Sequence, residues 1–230
     1  MPGRSLVIVA GGQHARVVAD AARASIDAWQ VTGFTQPSTA DDDRDDAGRD
    51  REARLGVPSI GDDAAFAARL AAMPAEERPW LVLGFGGPPD ARRHAVATFG
   101  EVGRWATVVH PTAWVSPSAV LEQGCVVLAG AVVNAGARVK AHAIVNTRVV
   151  VEHDVEVGAF THLAPGVVIG GGTTIGDDTM VGLGATIRDH IAVGSRVFVG
   201  MGAVVVGTVP DGELVVGVPA RPGGDHSRIG

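Results

Sequence analysis

Every sixth residue from Val109 to Val205 is aliphatic: Val109, Val115, Leu121 and Val127 open the series, and Ile187, Val193, Val199 and Val205 close it. Four residues after each stands a small or β-branched side chain, from Ala113, Ala119 and Cys125 to Ala203 and Val209. A helix repeats every 3.6 residues and a strand every second residue, so neither alone produces a period of six. A coil of three short strands, each one hexad long, does, and it places both series inside a triangular parallel β-prism. Like residues then stack on like residues one strand spacing apart, and five to six coils give a column of roughly 25 to 30 Å.

Composition bounds the function classes. The chain has 230 residues and a formal net charge of -6. It offers no basic face for nucleic acid or for an anionic membrane surface. Leu6–Ala10 is a single apolar strand that runs at once into Gly11-Gly12 rather than a signal segment, so the expectation is a cytoplasmic protein. Cys125, the single cysteine, falls in the inward small-residue series and is read as core.

The first hundred residues read differently. Ser5–Ala10 predicts a strand and Gly11-Gly12-Gln13-His14 a turn; Ala15–Ser25 predicts a helix with Val17, Val18, Ala21 and Ala22 on one face. Strands at Val31–Phe34 and Trp80–Leu83 and helices at Asp62–Ala72 and Asp90–Phe99 complete a small parallel α/β, Rossmann-like domain over residues 1–106. The repeats make a second domain over 107–222, with a tail to 230. Between the first two α/β units, residues 36–55 mix Asp41, Asp42 and Asp43 with Arg44, Arg49 and Arg51 and read as a solvated loop. A second glycine turn, Gly84-Phe85-Gly86-Gly87, follows the Trp80–Leu83 strand. Glycine turns at strand C-termini outline the crevice where open α/β sheets bind ligands, which places Gly11, Gly12, His14 and Gly84 at a candidate substrate site. Gly11-Gly12-Gln13-His14 does not match G-x-G-x-x-G, which argues against a dehydrogenase.

Several segments together carry a resemblance: A-G-G-Q-H-A-R-V-V near the start, V-V-H-P-T-A opening the repeats, then N-T-R-V-V-V-E-H-D, F-T-H-L-A-P-G and a final G-V-P-A-R. With these the chain resembles the sugar acetyltransferases of the bacillosamine and sialic acid pathways over nearly its whole length. That resemblance implies a left-handed β-helix, a homotrimer with active sites shared between subunits, and acetyl-CoA as co-substrate with no metal. It implies transfer to a UDP- or dTDP-4-amino-sugar held by the N-terminal domain. Where the family carries paired acids after its second strand, this chain has Thr35-Gln36-Pro37. O-acetylation of sialic acid or another sugar hydroxyl, and a non-catalytic trimeric scaffold, are the alternatives.

Within that resemblance His153 is the general base and Asp154 its orienting carboxylate. Spacing agrees, since His153 sits two places past the inward Val151 and therefore faces out. Gly171, eighteen residues on, lies over His153 on the next coil, where a bare N–H suits a thioester oxygen. The resemblance further places acetyl-CoA against His162, Gly171, Gly200, Gly202, Ala203 and Arg221, and puts Asn146 near the catalytic histidine on the substrate side. His153 and His162 are half a coil apart, so they face different sides of one subunit. A zinc site needs three converging imidazoles, which these spacings do not supply.

Overall fold

A computed structural model describes residues 4–27, 29–36 and 55–223. The chain divides into two compact units, Met1–Val109 and His110–Gly230. Residues 37–54, most of the charged loop read from the sequence, lie outside the described residues.

The first unit is a four-stranded parallel sheet formed by β1 (Arg4–Val9), β2 (Trp29–Gln36), β3 (Ser59–Asp62) and β4 (Trp80–Leu83) in the order β3-β2-β1-β4. Helices α1 (Gln13–Ala24), α2 (Asp63–Ala71) and α3 (Pro89–Phe99) connect and cover it. Val7, Val9, Leu81 and Leu83 of the sheet pack with Phe66, Leu70, Phe99 and Trp105 in one core. Strand β3 was not expected: Ser59-Ile60-Gly61-Asp62 holds one apolar residue and gives no alternation to read. Helix α1 begins at Gln13, so Gln13 and His14 form its first turn, and its buried face is Ala15, Val18, Ala19, Ala21 and Ala22. Val17, expected on that face, is 44% exposed. Asp62 caps α2 by accepting the Ala65 N–H at 2.9 Å.

The second unit is a parallel β-solenoid of about six turns, of the left-handed β-helix type. Its strands up to Val204–Val205 are two residues long and pair eighteen residues apart, so Val133, Val151 and Ile169 stack in one register, as do Val127, Val145 and Leu163. The stacked aliphatics from Val127 to Val205 are buried; Val115 and Leu121, in the first coil, are half-buried because the stack continues on one side of them only. Threonines in the inward small series are fully buried with their hydroxyls satisfied: Thr161, Thr173 and Thr179 donate to the carbonyls of Gly176, Arg188 and Gly194, each at 2.8 Å.

Every sixth residue from Gly124 to Gly202 has a positive φ. The sequence alternates between two solutions at this corner. Glycine fills it at 124, 130, 136, 166, 172, 184 and 202, while His142, Arg148, Asp154, Phe160, Asp178, His190 and Arg196 hold it with φ between 52 and 59°. A side chain in this region costs about 1–2 kcal/mol. The coil fixes the backbone at these places whatever residue occupies them, so a side chain here points where the corner dictates.

Candidate active site

Asp154 is such a corner residue, with φ 57°, and His153 immediately precedes it. The Asp154 Oδ2 lies 3.0 Å from His153 Nδ1. With Nδ1 donating that proton to the carboxylate, Nε2 carries the lone pair. Both side chains are exposed, and the hydrogen bond that His153 Nδ1 donates to Asp154 raises the imidazole from its ordinary value, helped by the charges of Asp154 and Glu152. Gly136, one coil below, makes room for the pair: a Cβ on it would stand 2.4 Å from Asp154 Oδ1. Gly171, one coil above, leaves room for the ring, because a Cβ there would meet Nε2 at 2.6 Å and Cε1 at 2.7 Å. The lone-pair nitrogen thus faces the bare backbone of Gly171.

The backbone at that place offers a donor. Gly170 and Gly172 donate to the carbonyls of Ile187 and His153, at 2.9 Å each, whereas the Gly171 N–H makes no hydrogen bond to the described residues. The equivalent N–H on the next corner of the prism shows what such a group takes: Ala141 donates to Glu122 Oε2 at 2.9 Å, Ala159 to Asp177 Oδ1 at 2.8 Å and Ser195 to Asp211 Oδ1 at 2.9 Å. On that corner the three amides bind carboxylate oxygen, and at the His153 corner the Gly171 N–H is left open to the described residues. An imidazole lone pair and an open N–H one coil apart on rigid backbone are chemically able to serve as base and oxyanion donor in an acyl transfer.

His162 stands on a strand of another face and is not brought to His153 within the chain. Asn146 joins His162 instead, Nδ2 to Nε2 at 3.1 Å, while its Oδ1 accepts the Thr147 N–H at 2.8 Å. The Asn146 amide therefore donates, and His162 Nε2 accepts. Among the later residues expected to hold acetyl-CoA, Ala203 points into the column and is fully buried, so only its backbone can face a ligand. Gly200 packs under Val216, where a Cβ would meet Cγ1 at 2.7 Å, and Gly202 is a corner with φ 65°. Arg221 lies on a short strand antiparallel to Val215–Val216, exposed, at a cleft of ≈ 400 Å³ that Val206, Thr208, Pro210 and Glu213 also line. Among the described residues no group of three or more His, Cys, Asp or Glu side chains is placed to hold a metal ion.

In the first unit the sheet order reverses between β1 and β4, and the two glycine turns meet there. A Cβ on Gly84 would stand 2.4 Å from Ala10 O and 3.0 Å from Ala15 Cβ; one on Gly11 would strike the Phe34 ring at 2.2 Å. Gly12 is the N-cap of α1 with open space beside it. Thr35, fully buried, holds the turn by accepting the Ala10 N–H at 3.2 Å and also bonds the buried Asp63. Burial pushes the Asp63 carboxyl up, against the Thr35 hydrogen bond. Burial and the charge of Arg92 hold His14 below the ordinary histidine range. Thr35, Asp63 and Arg92 were missed by sequence reasoning. For Arg92 a signal existed: it shares the buried stripe of α3 with Ala95 and Phe99, a place that a solvated arginine does not take.

No family model and no curated protein matches the chain. Solved structures do. The acetyltransferase domain of PglB from Neisseria gonorrhoeae FA1090, solved in complex with acetyl coenzyme A, is 36% identical, with 96% of this chain and 99% of that domain covered and a TM-score of 0.80. The perosamine N-acetyltransferase from Caulobacter crescentus, solved with CoA and GDP-perosamine, is 33% identical over 96% of this chain and 97% of its own, with a TM-score of 0.82, and a variant of it with one histidine changed to asparagine was solved with the same ligands. WeeI from Acinetobacter baumannii AYE, 20% identical over 95% and 99% at a TM-score of 0.68, shares the fold.

Proposed function

Because the chain belongs to the hexapeptide-repeat sugar N-acetyltransferases, we propose that it moves the acetyl group of acetyl-CoA directly onto the amine of a nucleotide-linked amino sugar, with His153 as general base. The observation that carries this reading is the stacking of Gly171 on His153, which sets an open N–H beside the lone pair of a carboxylate-oriented imidazole. The amine attacks the thioester carbon, the carbonyl oxygen takes the Gly171 N–H, His153 Nε2 receives the amine proton, and the coenzyme A thiolate leaves. Asp154 holds the ring and stabilises its protonated form. No acyl-enzyme is required, and Cys125, fully buried in the prism, is no candidate for a cysteine nucleophile.

The Rossmann-like unit holds the nucleotide at the crevice of Gly11, Gly12, His14 and Gly84. UDP and dTDP are the expected nucleotides; the GDP-sugar bound by the Caulobacter relative adds a third. The acyl donor runs from Gly171 along the coils past Gly200, Gly202 and Ala203, with Arg221 on a phosphate. His162 and Asn146 complete the site of a neighbouring subunit in a homotrimer, which accounts for their standing on another face from His153. Both units serve one cytoplasmic enzyme, the first for the sugar nucleotide and the second for the acyl donor.

A screen of UDP-, dTDP- and GDP-linked amino sugars with acetyl-CoA, read as free thiol released, tests the reading. Release with one or more amino sugars and none without sugar supports it. Thiol release with sialic acid but no amino sugar favours the O-acetyl alternative, and none with any acceptor favours a scaffold.

A further inference from the structure

Glu152 precedes His153 on the same coil, and its carboxylate is fixed from below: Asn134, one coil down, donates Nδ2 to Glu152 Oε2 at 3.0 Å. One coil above it stands Gly170, where a Cβ would meet the Asp189 backbone N at 2.5 Å, while over His153 the backbone of Gly171 carries no side chain. The imidazole therefore has a carboxylate on either side along the chain. Asp154 touches the ring; Glu152 does not and is half-buried, held by an amide rather than by a cation.

We infer that Glu152 selects an amine over a hydroxyl as the acetyl acceptor, by pairing with the positive charge that an amine nitrogen carries when it arrives protonated and again once it attacks. This rests on the acetyl-transfer reading. The arriving ammonium first gives one proton to solvent; the nitrogen lone pair so freed forms the C–N bond and the carbonyl π pair moves to the oxygen held by Gly171, leaving nitrogen positive and oxygen negative. His153 Nε2 takes the nitrogen's proton, the C–S bond breaks with its electron pair going to coenzyme A thiolate, and the amide remains. The oxygen charge has its donor in Gly171 and the nitrogen charge its partner in Glu152. A hydroxyl arrives neutral and moves toward an alkoxide as it loses its proton to His153, so a fixed carboxylate opposes it.

The test compares native protein with Glu152→Gln, which keeps an oxygen for Asn134 and removes the charge. Titration calorimetry in the presence of CoA measures binding of the accepted amino sugar nucleotide and of its counterpart with hydroxyl in place of the amine; kcat/KM is measured for the amine, and circular dichroism checks the fold. Native protein binds the amine form tighter. Glu152→Gln lowers kcat/KM for the amine by about 10- to 100-fold, the usual worth of a hydrogen bond to a charged group, and brings the two binding constants together, while the KM for acetyl-CoA stays the same. Asn134→Ala, which frees the carboxylate, shifts the binding ratio the same way by less. A Glu152→Gln protein that keeps the native amine-to-hydroxyl binding ratio overturns the inference. Native protein that acetylates no amine at all refutes the parent reading instead.

Discussion

The backbone of Gly171 lies against the imidazole of His153 so closely that a methyl group on it would come within 2.6 Å of Nε2. Gly171→Ala must therefore push the ring off its carboxylate without touching the interior of the column. The expected outcome is a fall in kcat of about 10- to 100-fold, smaller than the ~10²- to 10⁴-fold loss of the base itself because the ring is displaced and not removed, with the thermal midpoint close to native. Steady-state kinetics beside a melting curve check it; native turnover in the alanine variant would show that the ring is not used where it stands.

The pH profile follows from the Asp154 contact. The base must be neutral to work, and Asp154 raises the His153 imidazole above its ordinary value. The rate therefore rises with pH through an inflection above ~6.5, and Asp154→Asn moves the inflection back toward that value. The linked stability has the opposite sign. A pKa raised on folding adds stability that is full below the unfolded value and disappears as pH rises through the folded one. An inflection that climbs in Asp154→Asn would contradict the assignment.

Much of the solenoid and its site is legible in the amino-acid sequence, for a physical reason. A prism with a period of six repeats its geometry so strictly that position in the hexad fixes direction, and eighteen residues fix what lies above. That is why the Gly171 and His153 pairing, the outward face of His153 and the burial of Cys125 can be read from spacing. What depends on side chains reaching between coils is not legible: Asn134 to Glu152 and Gly136 under Asp154 are each pairs eighteen residues apart, and nothing in hydrophobicity marks them. The α/β unit yields less. Its turns are readable from glycine, but β3 carries too few apolar residues to show, and Arg92 and Asp63 sit in the interior against their polarity.

Assembly is expected to be essential. Asn146 and His162 pair on a face away from His153, and in the proposed site they come from a second subunit. Light scattering should give a trimer, and dilution or interface variants that yield monomer should lose turnover in step. A stable monomer with full activity contradicts the shared site.

Arg221, exposed beside the cleft near the end of the prism, is expected to meet an acetyl-CoA phosphate. Arg221→Ala should raise the KM for acetyl-CoA about 10- to 100-fold, as expected for a lost charge-assisted hydrogen bond, and leave the KM for the sugar near native. The reverse pattern would place Arg221 on the sugar side.

The central claim is that His153 removes the proton of the attacking amine, and single-turnover kinetics of His153→Ala with its best amino sugar tests it most directly. The account predicts a trimer that binds acetyl-CoA as the native protein does and transfers acetyl about 10²- to 10⁴-fold more slowly, the range for loss of a general base. A correctly assembled His153→Ala enzyme with the native rate would contradict it and move the base elsewhere, first to His162.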